Sequence, residues 1–183
     1  MDTITVDGKF LKSLTQAQLS KWLQVHRLDL VGASVFTKSG GWLSPTIEFL
    51  TRKECKDKSF VPSHVGNILL LGSILYCFDM KPPKATITNL FDYITTTNDT
   101  FKIVMILENK LDISQFSYDL FCKVDEKYGY LSALQCIKGL RWMFNRKHHC
   151  SELATLEYQK YGYLKHLKAD DVSPALLYSE MCF

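Results

Sequence analysis

The chain has no Cys-x-x-Cys pair among its six cysteines. At 183 residues it is long enough to bury a core without covalent staples, so reduced thiols are expected. No basic n-region and no apolar h-region follows Met1, so no conventional secretion signal is read and a soluble, cytoplasmic start is expected, with delivery elsewhere left to another route. The longest apolar stretch, Ile68 to Phe78, is broken by Gly72 and Ser73 and is too short to cross a bilayer. No run of Lys and Arg interleaved with aromatics is present, and a formal charge of +3 is too mild to call for nucleic acid. Repeats and low-complexity tracts are also missing, apart from the polar stretch Thr95 to Thr100, which reads as a surface loop.

What is present fits a globular domain, with 46% hydrophobic and 22% charged residues. Leu19, Trp22 and Leu23 fall on one face of a helix expected over 15–26, followed by a strand over 28–36. Ser44-Pro45 has the cap-then-proline pattern of a helix start, and that helix is expected to run to about Lys53. Val65 to Leu71 and Ile74 to Asp79 read as a hairpin around Gly72-Ser73, and a further strand is expected over 101–107. After Asp112 or Ser114 as cap, Phe116, Leu120 and Val124 recur at helical spacing, and Leu131, Leu134, Ile137 and Leu140 continue it. Ser173-Pro174 opens one more helix. A sheet in the middle with helices after it gives an α+β fold.

The chemistry concentrates at two places. Cys150 stands just before Ser-Glu-Leu-Ala-Thr-Leu-Glu-Tyr-Gln-Lys-Tyr-Gly, a helix with an early acid and a glycine stop at Gly162. A thiol at a helix start faces unpaired N–H groups and the positive dipole end, and it becomes a nucleophile when an imidazole is in reach. The imidazole is expected from His64. If Leu71 pairs with Ile74, Asp79 lies opposite Gly66 and is a diagonal neighbour of His64, close enough to orient its ring. Tyr76 and Phe78 then point to the other face as core.

Other residues receive plainer readings. Cys77, Cys122 and Cys136 are expected as small buried hydrophobes. Tyr158, Tyr161 and Tyr163 read as packing for the Cys150 helix, and Ser151 as its cap, with Ser63 and Glu152 near the site. Arg141, Arg146, Lys147, His148 and His149 form either an electropositive rim that favours the thiolate or a solvated helix end. A metal site at His148, His149 and Cys150 is disfavoured, because adjacent residues rarely converge on one ion and no second ligand pair stands at a recognisable spacing. No metal and no cofactor is expected.

Ser63-His64-Val65-Gly66, an acid fifteen positions after the histidine in Leu-Tyr-Cys-Phe-Asp79-Met, and the late Cys150-Ser-Glu-Leu together resemble the permuted NlpC-type papain-like cysteine hydrolases, the YiiX-like amidase group above all. The resemblance extends to Arg27 through Phe36, to the Ser44-Pro45 helix and to Asp170 through Pro174. It implies a circularly permuted papain-like core over 27–183, with a small antiparallel sheet packed on the nucleophile helix, and leaves 1–26 as an N-terminal helical extension. It implies a Cys150, His64 and Asp79 triad acting on an amide, ester or thioester. The substrate would be a peptide, a peptidoglycan-like peptide or another acyl compound, and amide hydrolysis is the best single expectation. A silent binding module of the same fold, or a lipid acyltransferase or thioesterase, is the alternative. The family more often places glutamate where this chain has Asp79, which predicts a carboxylate held back from the ring by one methylene.

Overall fold

A computed structural model describes residues 1–39, 44–107, 111–129 and 148–183. It consists of β1 (Thr3–Asp7), α1 (Gly8–Ser13), α2 (Gln16–Val25), α3 (Arg27–Leu30), β2 (Ser34–Lys38), α4 (Ser44–Thr51), β3 (His64–Leu71), β4 (Ile74–Lys81), β5 (Lys84–Asn89) and α5 (Leu90–Thr96). These are followed by β6 (Thr100–Ile106), α6 (Ile113–Phe121), α7 (Cys150–Lys160), a 3₁₀ turn (Ala169–Asp171) and α8 (Pro174–Cys182). The six strands form one sheet in the order β1-β6-β2-β3-β4-β5, with every pair antiparallel. The fold is therefore α+β.

The hairpin β3–β4 has the register read from the sequence, with Leu71 opposite Ile74 and Gly66 opposite Asp79. Gly72 has φ +61° and Ser73 stays at negative φ, the combination of a two-residue turn with glycine first. Residues 64–69 are all buried, without the alternation of a strand that has one open face. α6 and α7 lie against β3, whereas α1 packs on β6 and α5 on β4. Among the described residues no helix is long and apolar enough to cross a membrane.

The helix at 15–26 is found as α2, where Thr15 and Gln18 form a reciprocal capping box and Leu19 and Leu23 are buried. The strand expected over 28–36 starts late. Arg27 to Leu30 make a helical turn that buries Leu30 and leaves Leu28 exposed, Gly32 turns the chain at φ +82°, and only then does β2 begin at Ser34. An apolar residue at every second position had the look of a strand, yet one short helical turn displays the same spacing. The loop expected over 95–100 is shorter, since α5 runs to Thr96 from its Asn89 cap and β6 starts at Thr100.

The first 26 residues are not helical throughout, because Thr3 to Asp7 pair along β6 as an edge strand of the sheet. α6 begins from its Asp112 cap but stops at Phe121, so Val124 lies beyond it. Cys77 is buried as expected, whereas Cys122, the C-cap of α6, is exposed, because it falls off the helix face that buries Phe116 and Leu120. Cys136, Leu131, Leu134, Ile137, Leu140, Arg141, Arg146 and Lys147 lie outside the described residues.

Candidate active site

Cys150 is the first residue of α7, so its thiol stands among the N–H groups that the helix leaves unpaired. The cap is His149, not Ser151: the ring Nδ1 of His149 accepts from the Glu152 amide at 3.3 Å, and a Glu152 carboxylate oxygen accepts from the His149 amide at 3.3 Å. Ser151 turns inward and donates to the Val172 carbonyl at 2.7 Å, tying the first turn of α7 to the segment ahead of α8. Glu152 thus serves the backbone at the site, and Ser63 reaches it through backbone too, its hydroxyl oxygen accepting from the Ser39 amide at 3.3 Å.

The far end of α7 is fixed by Tyr158, whose ring is fully buried. Its hydroxyl donates to the Gly32 carbonyl at 2.6 Å, lies 2.7 Å from the Ser34 hydroxyl and accepts from the Asn67 amide at 3.2 Å. The tyrosine expected as packing therefore also bolts the nucleophile helix to β2 and β3. Removing the hydroxyl strands these buried partners, so Tyr158→Phe is expected to cost about 1–3 kcal/mol. Thermal unfolding should register this as a drop of about 2–4 °C per kcal/mol for a chain of this size.

His64 opens β3, and Asp79 sits on β4 opposite Gly66. The register brings the two together with His64 Nε2 3.0 Å from Asp79 Oδ1. The shorter carboxylate closes on the ring with no gap, so the expected loss of reach does not occur. Contact is this close because Gly66 has no side chain: a Cβ there would lie 2.6 Å from Asp79 Oδ1 and 2.7 Å from the Phe78 carbonyl. With Nε2 engaged by Asp79, Nδ1 is the ring nitrogen left for another partner, and Cys150 is close enough to His64 for the two charges to act on each other.

One residue was missed in the sequence. Lys81 Nζ lies 3.2 Å from Asp79 Oδ2, so both oxygens of the carboxylate have cationic or imidazole partners. The signal was available, since positions 79 and 81 of one strand share a face.

The electrostatics follow from this placement. Cys150, His64 and Asp79 are all buried, at 6%, 6% and 5% exposure. Burial alone would raise the Cys150 thiol, but the charge on His64 and the nearby His149 and His64 rings outweigh it and hold the thiol well below its usual value. Burial likewise opposes a charged His64, yet the Cys150 thiolate and the Asp79 carboxylate raise it to about 9. Asp79, despite its own desolvation, is held below the ordinary carboxylate range by His64 and Lys81. These opposing influences favour a thiolate on Cys150 and a charged His64 beside Asp79, the charge state that nucleophilic sulfur chemistry requires.

His148 is engaged by Glu126, its Nδ1 lying 2.9 Å from Glu126 Oε1. No family model matches this chain, and no curated protein matches it.

Proposed function

We propose that the protein is a cysteine hydrolase or acyltransferase that acts on an amide, ester or thioester through Cys150, His64 and Asp79, with amide hydrolysis the leading reaction. The observation that carries this reading is the conjunction of Cys150 at the N-terminus of α7 with His64, itself held by Asp79 at 3.0 Å. The order of the parts, with the histidine and acid strands ahead of the cysteine helix, and an antiparallel sheet against that helix support a permuted papain-like core.

The Cys150 thiolate attacks the substrate carbonyl carbon, and the tetrahedral intermediate places its oxyanion near the Cys150 amide at the helix start. His64, charged through its thiolate partner, then gives its proton to the leaving amine or alcohol, and an acyl-enzyme remains. A water or another acceptor loses a proton to His64, attacks the thioester and frees Cys150. Asp79 keeps the ring oriented throughout, and Lys81 keeps Asp79 ionised. Candidate substrates are peptides, peptidoglycan-like peptides and other acyl compounds. No nucleic acid, metal or cofactor enters the scheme.

The test uses an activated ester, p-nitrophenyl acetate. Wild type should release a burst of nitrophenol and carry an acetyl group on Cys150 by mass spectrometry, and Cys150→Ala should do neither. The pH profile of the acylation rate should fall on the alkaline side near 9, where His64 loses its proton. Absence of any adduct on Cys150 would overturn catalysis and leave a binding module that keeps the fold, a role that fits the deep burial of Cys150 and His64.

A further inference from the structure

His149 takes no part in the scheme above, yet it is one of the most deeply enclosed polar residues of the protein, at 1% exposure. Its Nδ1 accepts the Glu152 amide hydrogen at 3.3 Å, so that nitrogen carries no proton and the ring hydrogen belongs on Nε2. The Ser151 hydroxyl, 3.2 Å from the same Nδ1, spends its own hydrogen on the Val172 carbonyl. Nε2 is fully buried and has no hydrogen-bond partner among the described residues. A Glu152 carboxylate oxygen lies 3.9 Å from Nε2, too far to accept. A buried N–H donor with no acceptor is costly and calls for an explanation.

The explanation stands next in the chain. Cys150 follows the His149 cap directly as the first residue of α7, and both side chains are buried at that helix start, at 6% and 1% exposure. We propose that His149 is a second imidazole of the site, a positioning residue whose neutral Nε2–H donates to the Cys150 sulfur when that sulfur is charged. The two histidines divide the work. His64 is the cation and the proton carrier, whereas His149, whose Nδ1 accepts in the capping box, adds an Nε2–H donor. The inference rests on Cys150 being the nucleophile of the proposed reaction.

Because a histidine cap and a histidine donor are different roles, a variant that keeps the first and removes the second separates them. Serine is a strong N-cap and too short to reach the sulfur from position 149. His149→Ser should stay folded, with an unfolding temperature lowered by the space that the buried ring leaves, while the midpoint of Cys150 alkylation by iodoacetamide, followed by mass spectrometry across pH, moves up. A rise of half a pH unit in that midpoint lowers the thiolate fraction at acidic pH by about threefold, and at least this much is expected. An alkylation profile that superimposes on wild type would overturn the proposal and leave His149 as a cap only. In wild-type protein labelled with ¹⁵N-histidine, the ring of His149 should give the neutral, Nε2-protonated signature. A proton on Nδ1 would overturn the proposal without recourse to any variant. The underlying reading fails separately: it is lost if wild-type Cys150 alkylates with an ordinary midpoint of about 8.5. A low midpoint that responds to His64→Ala but not to His149→Ser sinks only the role of His149.

Discussion

At pH 6, His64→Ala is expected to slow alkylation of Cys150 by about ten- to hundredfold. A thiol of ordinary pKa, about 8.5, is only about 0.3% ionised at that pH, whereas the paired thiol of the wild type is held well below its usual value by His64 and His149 against the cost of burial. The low-pKa thiolate is intrinsically the weaker nucleophile, with a Brønsted slope of about 0.4–0.5, and this removes part of the gain and sets the range. Without His64 the sulfur would remain enclosed at 6% exposure with desolvation less opposed, so the variant should lie toward the larger effect. Equal rates in the two proteins would remove the thiolate–imidazolium pair as an account of this site. The other cysteines provide internal references, since burial raises Cys55, Cys77 and Cys182 and none of them should respond to His64.

Gly66→Ala is expected to damage the site and the fold together. The new methyl would stand 2.6 Å from Asp79 Oδ1, 2.7 Å from the Phe78 carbonyl and 3.1 Å from the Cys77 sulfur. Two of these neighbours belong to the backbone or to the carboxylate that orients His64, so relief requires that β4 move away from β3 or that Asp79 leave the imidazole. Overpacking of this kind costs about 1–3 kcal/mol, which thermal unfolding would show as a lower midpoint, and the Cys150 alkylation midpoint should rise as His64 loses its orienting partner. Gly72→Ala is the control. It too lies in the hairpin, and its φ of +61° strains any side chain, but nothing lies within 4 Å of the added carbon. It should lower stability without moving the chemistry of Cys150. If Gly66→Ala behaves like Gly72→Ala, the close approach at Gly66 has no bearing on the site.

The sequence by itself determined the elements whose cause is local. A two-residue turn at Gly72-Ser73 sets the strand register, and the register carries Asp79 to His64 without help from the rest of the chain. Capping chemistry marked the starts of α6 and α8 at Asp112 and Ser173 in the same way, because a cap satisfies amides no more than three residues away. Cys150 was placed at a helix start by the early acid Glu152 and the glycine stop at Gly162, signals that are local too. What lay beyond such signals went unread. β1 is a strand because β6 offers it an edge, and Arg27 to Leu30 become a helical turn because Leu30 is drawn into the core. His149 displaced Ser151 as the cap of α7 because the Val172 carbonyl, distant in sequence, drew the serine hydroxyl inward.

Tertiary structure alone brought α7 against β3 and bolted it there through Tyr158 to Gly32, Ser34 and Asn67. Only that contact puts an imidazole from one half of the chain beside a sulfur from the other. The charge state of the site therefore could not be read from the sequence: it depends on burial opposed by charges that come together only when the chain has folded.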